Sequence, residues 1–186
     1  MSTPANNLTP EIYAAFSGQI IGETVTRFVS GMTTAANGIV KRAHVLFHTS
    51  GGNVGDGITL YNFFRSLPFE LILYNPGIVA SIGVISYLGA HRRIVTEHGL
   101  FMIHRTQVPF SAGTPARRVQ TIVDSAFLDD ERIEAILRKH LKMPDDMWKR
   151  FDSDDLYFSG KQGVEYSFAD AVGESSPPAG QRIFSI

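Results

Sequence analysis

Ser81 stands among small residues in Gly77-Ile78-Val79-Ala80-Ser81-Ile82-Gly83. A serine between a strand and a helix can project its hydroxyl from a tight turn, and the backbone N–H groups that open the helix can stabilise a developing oxyanion. The G-x-S-x-G elbow pattern is not met, because Val79 occupies the first glycine position. For a lone serine, a small residue chosen for close packing is the plainer reading. Gly51-Gly52 is the second candidate. Two glycines after a strand let the backbone approach a ligand closely with its N–H groups outward, which suits half of an oxyanion hole and a strip of backbone for substrate. A turn that needs positive φ explains the same pair. No Gly-Lys-Ser/Thr follows, so a nucleotide site is not expected. His104 ends the apolar run Phe101-Met102-Ile103 and is placed to act as a general base. Asp152, Asp154 and Asp155 cluster before Leu156-Tyr157-Phe158-Ser159. One of them can orient a histidine and stabilise its protonated form, while a solvated loop accounts for the others. His44 and His48 share one strand face with no third ligand indicated, so no metal site is expected.

The elements that must position these residues follow from periodicity. Residues 1–11 read as a flexible lead, 12–174 as a single domain and 175–186 as a C-terminal tail that runs loose past Pro177-Pro178. Ile12 to Ile20 is strand-like. Val25, Phe28, Val29 and Met32 recur at helical spacing, with Gly38 as a stop. Ala43 to His48 is a strand, and Ile58, Tyr61 and Phe64 give the next helix an apolar face. Glu70 to Tyr74 is a strand and Val79 to Ala90 an apolar helix. Arg93–Thr96 and Leu100–His104 are further strands. Alternating strands and helices predict an α/β fold with a largely parallel sheet, whose ligand sites lie beyond the carboxyl ends of the strands. The turns at 49–57 and 75–81 both follow strands and so share that edge. Val119, Ile122, Val123, Ala126 and Phe127 continue as Ile133, Ile136, Leu137 and Leu141, a long amphipathic helix over about 115–142. It either covers its own sheet or protrudes as an arm against another subunit. Ser159-Gly160-Lys161-Gln162 is a capping-box pattern. His91, His98 and His140 read as surface positions.

Composition sets outer bounds. The 186 residues are 44% hydrophobic, 19% charged and 11% aromatic, which suits one domain with a real core and is short for two. Lys plus Arg number 17 and Asp plus Glu 18, for a formal net charge of −1. No global field therefore draws in nucleic acid or an acidic membrane. The absence of cysteine excludes disulfides, thiolate metal sites and a cysteine nucleophile. It fits a reducing compartment, and a cytoplasmic location is expected. The polar first ten residues lack the basic start and apolar core of a signal peptide. The uncharged stretch Leu71 to Ala90 approaches the ~20 apolar residues of a membrane helix, but Asn75-Pro76-Gly77 interrupts it, so no membrane span is expected.

Taken in order, the Gly-Gly turn, the serine turn, the histidine-ended strand and the aspartate before a helix resemble the proteolytic subunit of the Clp protease, peptidase family S14, within the Clp protease/crotonase-like fold. The matching segments are Thr49-Ser50-Gly51-Gly52 with Asp56-Gly57 and Tyr61, Gly77 through Gly83, Met102-Ile103-His104, and Asp155 through Tyr166, with Phe16 to Ile20 similar to the family's early strand. Four residues depart from the family: Ser50 stands for its usual Pro, Arg105-Thr106 for its common Gln-Pro, and Asp154 for its frequent Arg. The resemblance implies repeated β-β-α units with a helical handle at 115–142. It implies Ser81 as nucleophile, His104 as general base and Asp155 as orienting acid, with Asp152 and Asp154 as the alternatives. It also implies an oxyanion hole from the N–H groups of Gly52 and Ile82. Gly52-Asn53-Val54 and the segment after His104 would hold an extended peptide. The implied activity is that of a serine endopeptidase with no cofactor, acting on unfolded polypeptide inside a homo-oligomeric chamber. That chamber is a heptameric ring, stacked in pairs through the handles and fed by a partner ATPase. Two other readings share the fold: a crotonase-type enzyme polarising an acyl-CoA thioester by paired N–H groups, and a silent scaffold subunit. A Ser/Lys dyad is disfavoured, since Lys41 and Lys139 lie in neither motif.

Overall fold

A computed structural model describes residues 10–186 of the chain. In chain order its elements are β1 (Glu11–Ser17), α1 (Gly22–Ala36), β2 (Arg42–His48), α2 (Val54–Ser66), β3 (Glu70–Asn75), β4 (Ile78–Ala80), α3 (Ile82–Leu88), β5 (Arg92–Val95), β6 (Leu100–Ile103), α4 (Ala116–His140), α5 (Asp145–Phe151), β7 (Leu156–Ser159), α6 (Gly160–Glu165), β8 (Ala171–Val172) and β9 (Ile183–Ser185). Six strands form one sheet in the order β8-β5-β3-β2-β1-β9, and β4-β6-β7 form a second. Every pairing in the large sheet is parallel. In the small one β4 runs parallel to β6, and β6 antiparallel to β7. The α/β class read from alternating periodicity is the one observed.

Period-two burial in β2 explains its place. Ala43, Val45 and Phe47 are fully buried on one face, while Arg42, His44, Leu46 and His48 line the other. Thr24, Phe28, Met32 and Ala35 recur at helical spacing and give α1 its buried side. Phe28 packs edge-on against Phe16 and Phe64, with ring centroids at 5.1 and 5.3 Å. Burying each such ring contributes roughly 1.5–3 kcal/mol. The α2 and α3 helices approach closely at Gly57, where an added Cβ would lie 2.3 Å from Ile82 Cγ1. Ser86 sits fully buried at this contact and donates to Gly57 O at 3.1 Å. Buried Asn75 joins the two sheets: its Nδ2 donates to Leu100 O at 2.8 Å, and its Oδ1 accepts the Gly77 N–H at 3.1 Å.

Four expectations are corrected. The helix read from Val79 to Ala90 is strand β4, a break at Ser81, and the shorter α3. Ladder pairing with β6 overrides an apolar run that has no clear period. The tail does not run loose to its end, because β9 adds to the edge of β1 through Tyr13↔Ile183, and the Ile186 N–H donates to Ala15 O at 3.0 Å. An unpaired strand edge is a template that a short distant segment can satisfy, and no local pattern announces it. Of the expected lead, residues 1–9 lie outside the described residues, and β1 already begins at Glu11. Finally, His140 is not a surface residue. It is partly buried at the end of α4, with Nε2 2.9 Å from Tyr61 Oη.

The capping box is present: Ser159 Oγ accepts the Gln162 N–H, and Gln162 Oε1 accepts the Ser159 N–H at 3.0 Å. Along the 25 residues of α4 only Ile133 and Leu137 are buried, whereas Phe127 and Leu128 are 64% and 61% exposed. The helix therefore packs on its own chain near its C-terminal end and carries an uncovered apolar pair further along.

His140 yields a stability prediction. Burial, together with the charges of Arg93, Arg65 and Lys139, pushes its pKa down from 6.5 to about 4. The unfolded chain thus takes up a proton as pH falls through about 6.5, and the folded chain resists it until about 4. Stability contributed by neutral His140 is present above that window and lost as pH falls through it. Thermal melts from pH 7 to 4.5 are expected to show a steeper decline for the native chain than for His140→Gln. Parallel declines would contradict the assignment.

Candidate active site

The carboxyl ends of β2, β4 and β6 meet at one place. Beyond β2, Thr49 continues the ladder: its N–H donates to Ile78 O at 3.1 Å, and its carbonyl accepts the Ala80 N–H at 3.0 Å. Thr49 Oγ1 then accepts the Gly51 N–H at 3.1 Å and starts the glycine turn. Gly51 has φ 108°, and a Cβ there would lie 2.7 Å from Ser81 Cβ. The turn is roofed by residue 20, where the Ile20 N–H donates to Gly51 O and the Asn53 N–H to Ile20 O, both at 2.8 Å. At Gly52 an added Cβ would sit 2.1 Å from Ile20 O. Gly52→Ala must therefore push the Ile20 backbone away. A loss of about 1–3 kcal/mol of unfolding free energy in urea titrations is expected from overpacking of this kind.

Ser81 precedes the first residue of α3 and holds φ 56° and ψ −133°, a conformation that non-glycine residues rarely adopt. Its N–H donates to Met102 O at 2.8 Å, which ties the strained residue to β6. Such strain costs about 1–3 kcal/mol and persists only where neighbours over-determine it. Two residues on from Met102, just past the end of β6, His104 Nε2 lies 2.8 Å from Ser81 Oγ. The other ring nitrogen, Nδ1, is buried without a hydrogen-bond partner.

The three aspartates separate by what they touch. Asp152 pairs with Arg105. Asp154 faces Arg150, with Nε to Oδ2 at 3.3 Å, and Ser153 Oγ donates to it at 3.2 Å. Asp155 makes no ion pair or side-chain hydrogen bond among the described residues. The β6/β7 register pairs Ile103 with Leu156 and Met102 with Tyr157, which makes Asp155 the next cross-strand neighbour of His104. Ile103 and Leu156 are both buried on the inner face, so His104 and Asp155 share the outer one.

A cleft of about 280 Å³ opens at Ser81. Val54, Ile82, Ile85, Ile133 and Leu137 give it an apolar wall, and Arg105, Thr106 and Gln107 its rim. Of the expected substrate strip, Gly52 and Val54 line the cleft, while the Asn53 N–H is already spent on Ile20 and its Nδ2 donates to Asp56 at 3.1 Å. Ile82 opens α3, so its N–H is one of those left without an intrahelical acceptor.

One part of the site lay outside the sequence reading. α4 forms a wall, through Ile133 and Leu137, and reaches the strand that carries His104. Asp130 Oδ1 accepts the Thr106 N–H at 2.7 Å, and Glu134 Oε2 lies 2.6 Å from Arg105 Nη2. Burial raises the Glu134 pKa, but hydrogen bonds from Arg138 and Arg105 outweigh it and leave the carboxyl below its ordinary range. Arg105 also stacks on Phe151, with Cζ 4.5 Å from the ring centre. Positions 130, 133, 134 and 137 follow helical spacing, a pattern that is visible in the chain only once the partner strand is known. Among the described residues no group of three or more His, Cys, Asp or Glu gathers as a metal site. His44 instead bonds to Tyr74 Oη at 2.9 Å, and the Ile78 N–H donates to His48 Nδ1 at 3.4 Å. Among the same residues no helix is long and apolar enough to cross a membrane.

Comparison with known proteins bears on this geometry. A family model described as Clp protease matches residues 3–176. The ATP-dependent Clp protease proteolytic subunit 1 of Streptomyces avermitilis is 25% identical over 130 residues, 69% of this chain and 59% of that protein. The chain thus spans less than two thirds of that relative. Proteolytic subunit 2 of Thermobifida fusca is 20% identical over 166 residues, covering 87% of this chain and 81% of its own length. Proteolytic subunit 3 of Rhodococcus jostii is 25% identical over 161 residues, 84% and 78% of the two chains. Among solved structures, a ClpP1 mutant from Listeria monocytogenes superposes with a TM-score of 0.74 at 19% identity, over 90% of this chain and 92% of the other. That likeness establishes the fold.

Proposed function

Because the chain belongs to the Clp protease family, we propose that it is a serine endopeptidase hydrolysing peptide bonds of unfolded polypeptides inside an oligomeric chamber. One observation carries the reading: a serine hydroxyl on a strained turn, 2.8 Å from an imidazole nitrogen. Packing alone does not call for that contact. Polarisation of a thioester by backbone N–H groups has no use for it, and neither has a silent scaffold.

In the mechanism, the peptide carbonyl enters the cleft beside Ser81. His104 Nε2 takes the hydroxyl proton as Oγ attacks the carbonyl carbon, and the N–H groups of Gly52 and Ile82 receive the developing oxyanion. His104 returns the proton to the leaving amine, which departs and leaves an acyl-enzyme. Water, activated by the same nitrogen, attacks the ester and regenerates Ser81. Asp155 turns toward Nδ1, holds the tautomer and stabilises the imidazolium. Gly52, Asn53 and Val54 bind extended peptide from one side and the segment after His104 from the other, with Gly52 and Val54 nearest the cleft. No cofactor or metal enters.

The subunits assemble as a homo-oligomer, a heptameric ring that stacks into a tetradecamer through α4, whose exposed Phe127 and Leu128 supply an apolar contact. An ATPase unfoldase delivers substrate, and the assembly works in the cytoplasm. A fluorophosphonate probe applied to the native chain, with mass measured in solution, tests the reading. Labelling at Ser81 on a particle of many subunits is expected. An unlabelled monomer would overturn it.

A further inference from the structure

The ladder that carries His104 ends at Ile103, and the backbone of residues 105–110 makes a single hydrogen bond among the described residues, from the Thr106 N–H to Asp130 Oδ1 at 2.7 Å. The base therefore stands where the sheet no longer holds the chain. What holds it next is α4. Asp130 and Glu134 lie one helical turn apart and present two carboxylates on one face. Asp130 accepts the Thr106 N–H, and Glu134 pairs with Arg105 Nη2 at 2.6 Å. Arg105 continues the chain of contacts to Asp152 and to the Phe151 ring, at the start of the turn that leads to Asp155. Arg105-Thr106 is also where the chain departs from the Gln-Pro of its family, and a proline has no N–H to offer Asp130.

We propose that Asp130 and Glu134 are positioning residues: from successive turns of α4 they clamp Thr106 and Arg105, and so set where His104 stands over Ser81. The inference rests on the peptidase reading for its kinetic consequences but not for the clamp itself. A carboxylate accepting a backbone N–H makes a charge-assisted hydrogen bond, stronger than a neutral one. A base displaced by about 1 Å loses up to ~100-fold in rate, so two such anchors beside the base are enough to govern its alignment. Neither carboxylate lines the cleft, so their loss should leave substrate binding nearly intact.

The test uses the full chain and a fluorogenic peptide. Asp130→Ala is expected to lower kcat about tenfold while KM stays within about twofold. Asp130→Asn, whose amide oxygen still accepts the N–H, is expected to keep most of kcat. Arg105→Gln should also lower kcat about tenfold, but its KM should rise as well, because Arg105 lines the cleft rim. Thr106→Pro deletes the donor, so adding Asp130→Ala to it should produce no further loss. A purely structural role predicts the opposite on two counts: Asn would behave like Ala, and the loss would recur in the Thr106→Pro background. Either result, or an unchanged kcat in Asp130→Ala, overturns the proposal. Hydrogen exchange at the Thr106 amide gives a reading independent of activity, with protection expected to fall about tenfold or more in Asp130→Ala. If the native chain neither takes the fluorophosphonate nor cleaves peptide, the peptidase reading fails, and the exchange measurement alone decides the clamp. Unchanged protection would then sink it.

Discussion

Ser81→Ala is expected to lower peptide turnover by about 10⁶-fold, to the level that oxyanion stabilisation and binding sustain without a nucleophile. The size of the loss follows from the geometry. Ser81 Oγ is the oxygen held 2.8 Å from His104 Nε2. The same site makes a second, opposite statement about stability. Ser81 holds φ 56° and is fixed there by its N–H bond to Met102 O and by Gly51 at its back. Glycine tolerates that conformation and serine pays for it. Ser81→Gly should therefore raise the unfolding free energy by about 1 kcal/mol, the relieved strain less glycine's greater chain entropy, while turnover is lost as in Ser81→Ala. Urea titration and peptide hydrolysis on the same samples check both. A stabilised but active Ser81→Gly enzyme would remove Ser81 from the mechanism. A destabilised and inactive one would show that the turn is not strained.

Asp155→Asn should cost about 10⁴-fold in kcat, the loss seen when a triad amide holds the wrong histidine tautomer. The comparison with its neighbours makes the prediction sharp. Asp154 faces Arg150 and Ser153 at the surface, and Asp154→Asn should leave kcat within about twofold. Asp152 is bound to Arg105, so it acts only through the clamp, and Asp152→Asn should fall between the two. Asp155 is the member of the cluster with no competing partner among the described residues. It is also the next cross-strand neighbour of the buried, unpartnered Nδ1 of His104. Steady-state kinetics on the three asparagine variants settles the order. Equal losses in Asp152→Asn and Asp155→Asn would move the acid's role to Asp152.

Much of this site is legible in the sequence. The glycine pair, the serine turn and the histidine-ended strand each sit where a strand gives way to a turn, and α/β topology sends such turns to one edge. β2 and α1 were legible because their buried faces repeat with clean periods of two and of about 3.6. β4 was not, because Ile78-Val79-Ala80 merges with the apolar start of α3 and only its pairing with β6 separates them. β9 was not, because three exposed residues acquire a strand only by meeting β1 far back in the chain. His140 looked like a surface residue because no pattern links it to Tyr61, with which it pairs across the fold.

The sequence by itself determined the residue types and their order along the sheet edge: a hydroxyl, an imidazole, three carboxylates and the glycines that let backbone crowd them. It also determined that thiol chemistry is excluded, since the chain has no cysteine. Local periodicity and composition suffice for these statements. Only the tertiary structure decided that Ser81 and His104 touch, that Asp155 rather than its neighbours lies across from His104, and that α4 supplies two carboxylates to Arg105 and Thr106. Each of these depends on the register between strands or on the angle at which a helix packs. Both are set by the shapes of surfaces distant in sequence, and a one-residue slip in either leaves the sequence pattern unchanged while it moves every side chain at the site.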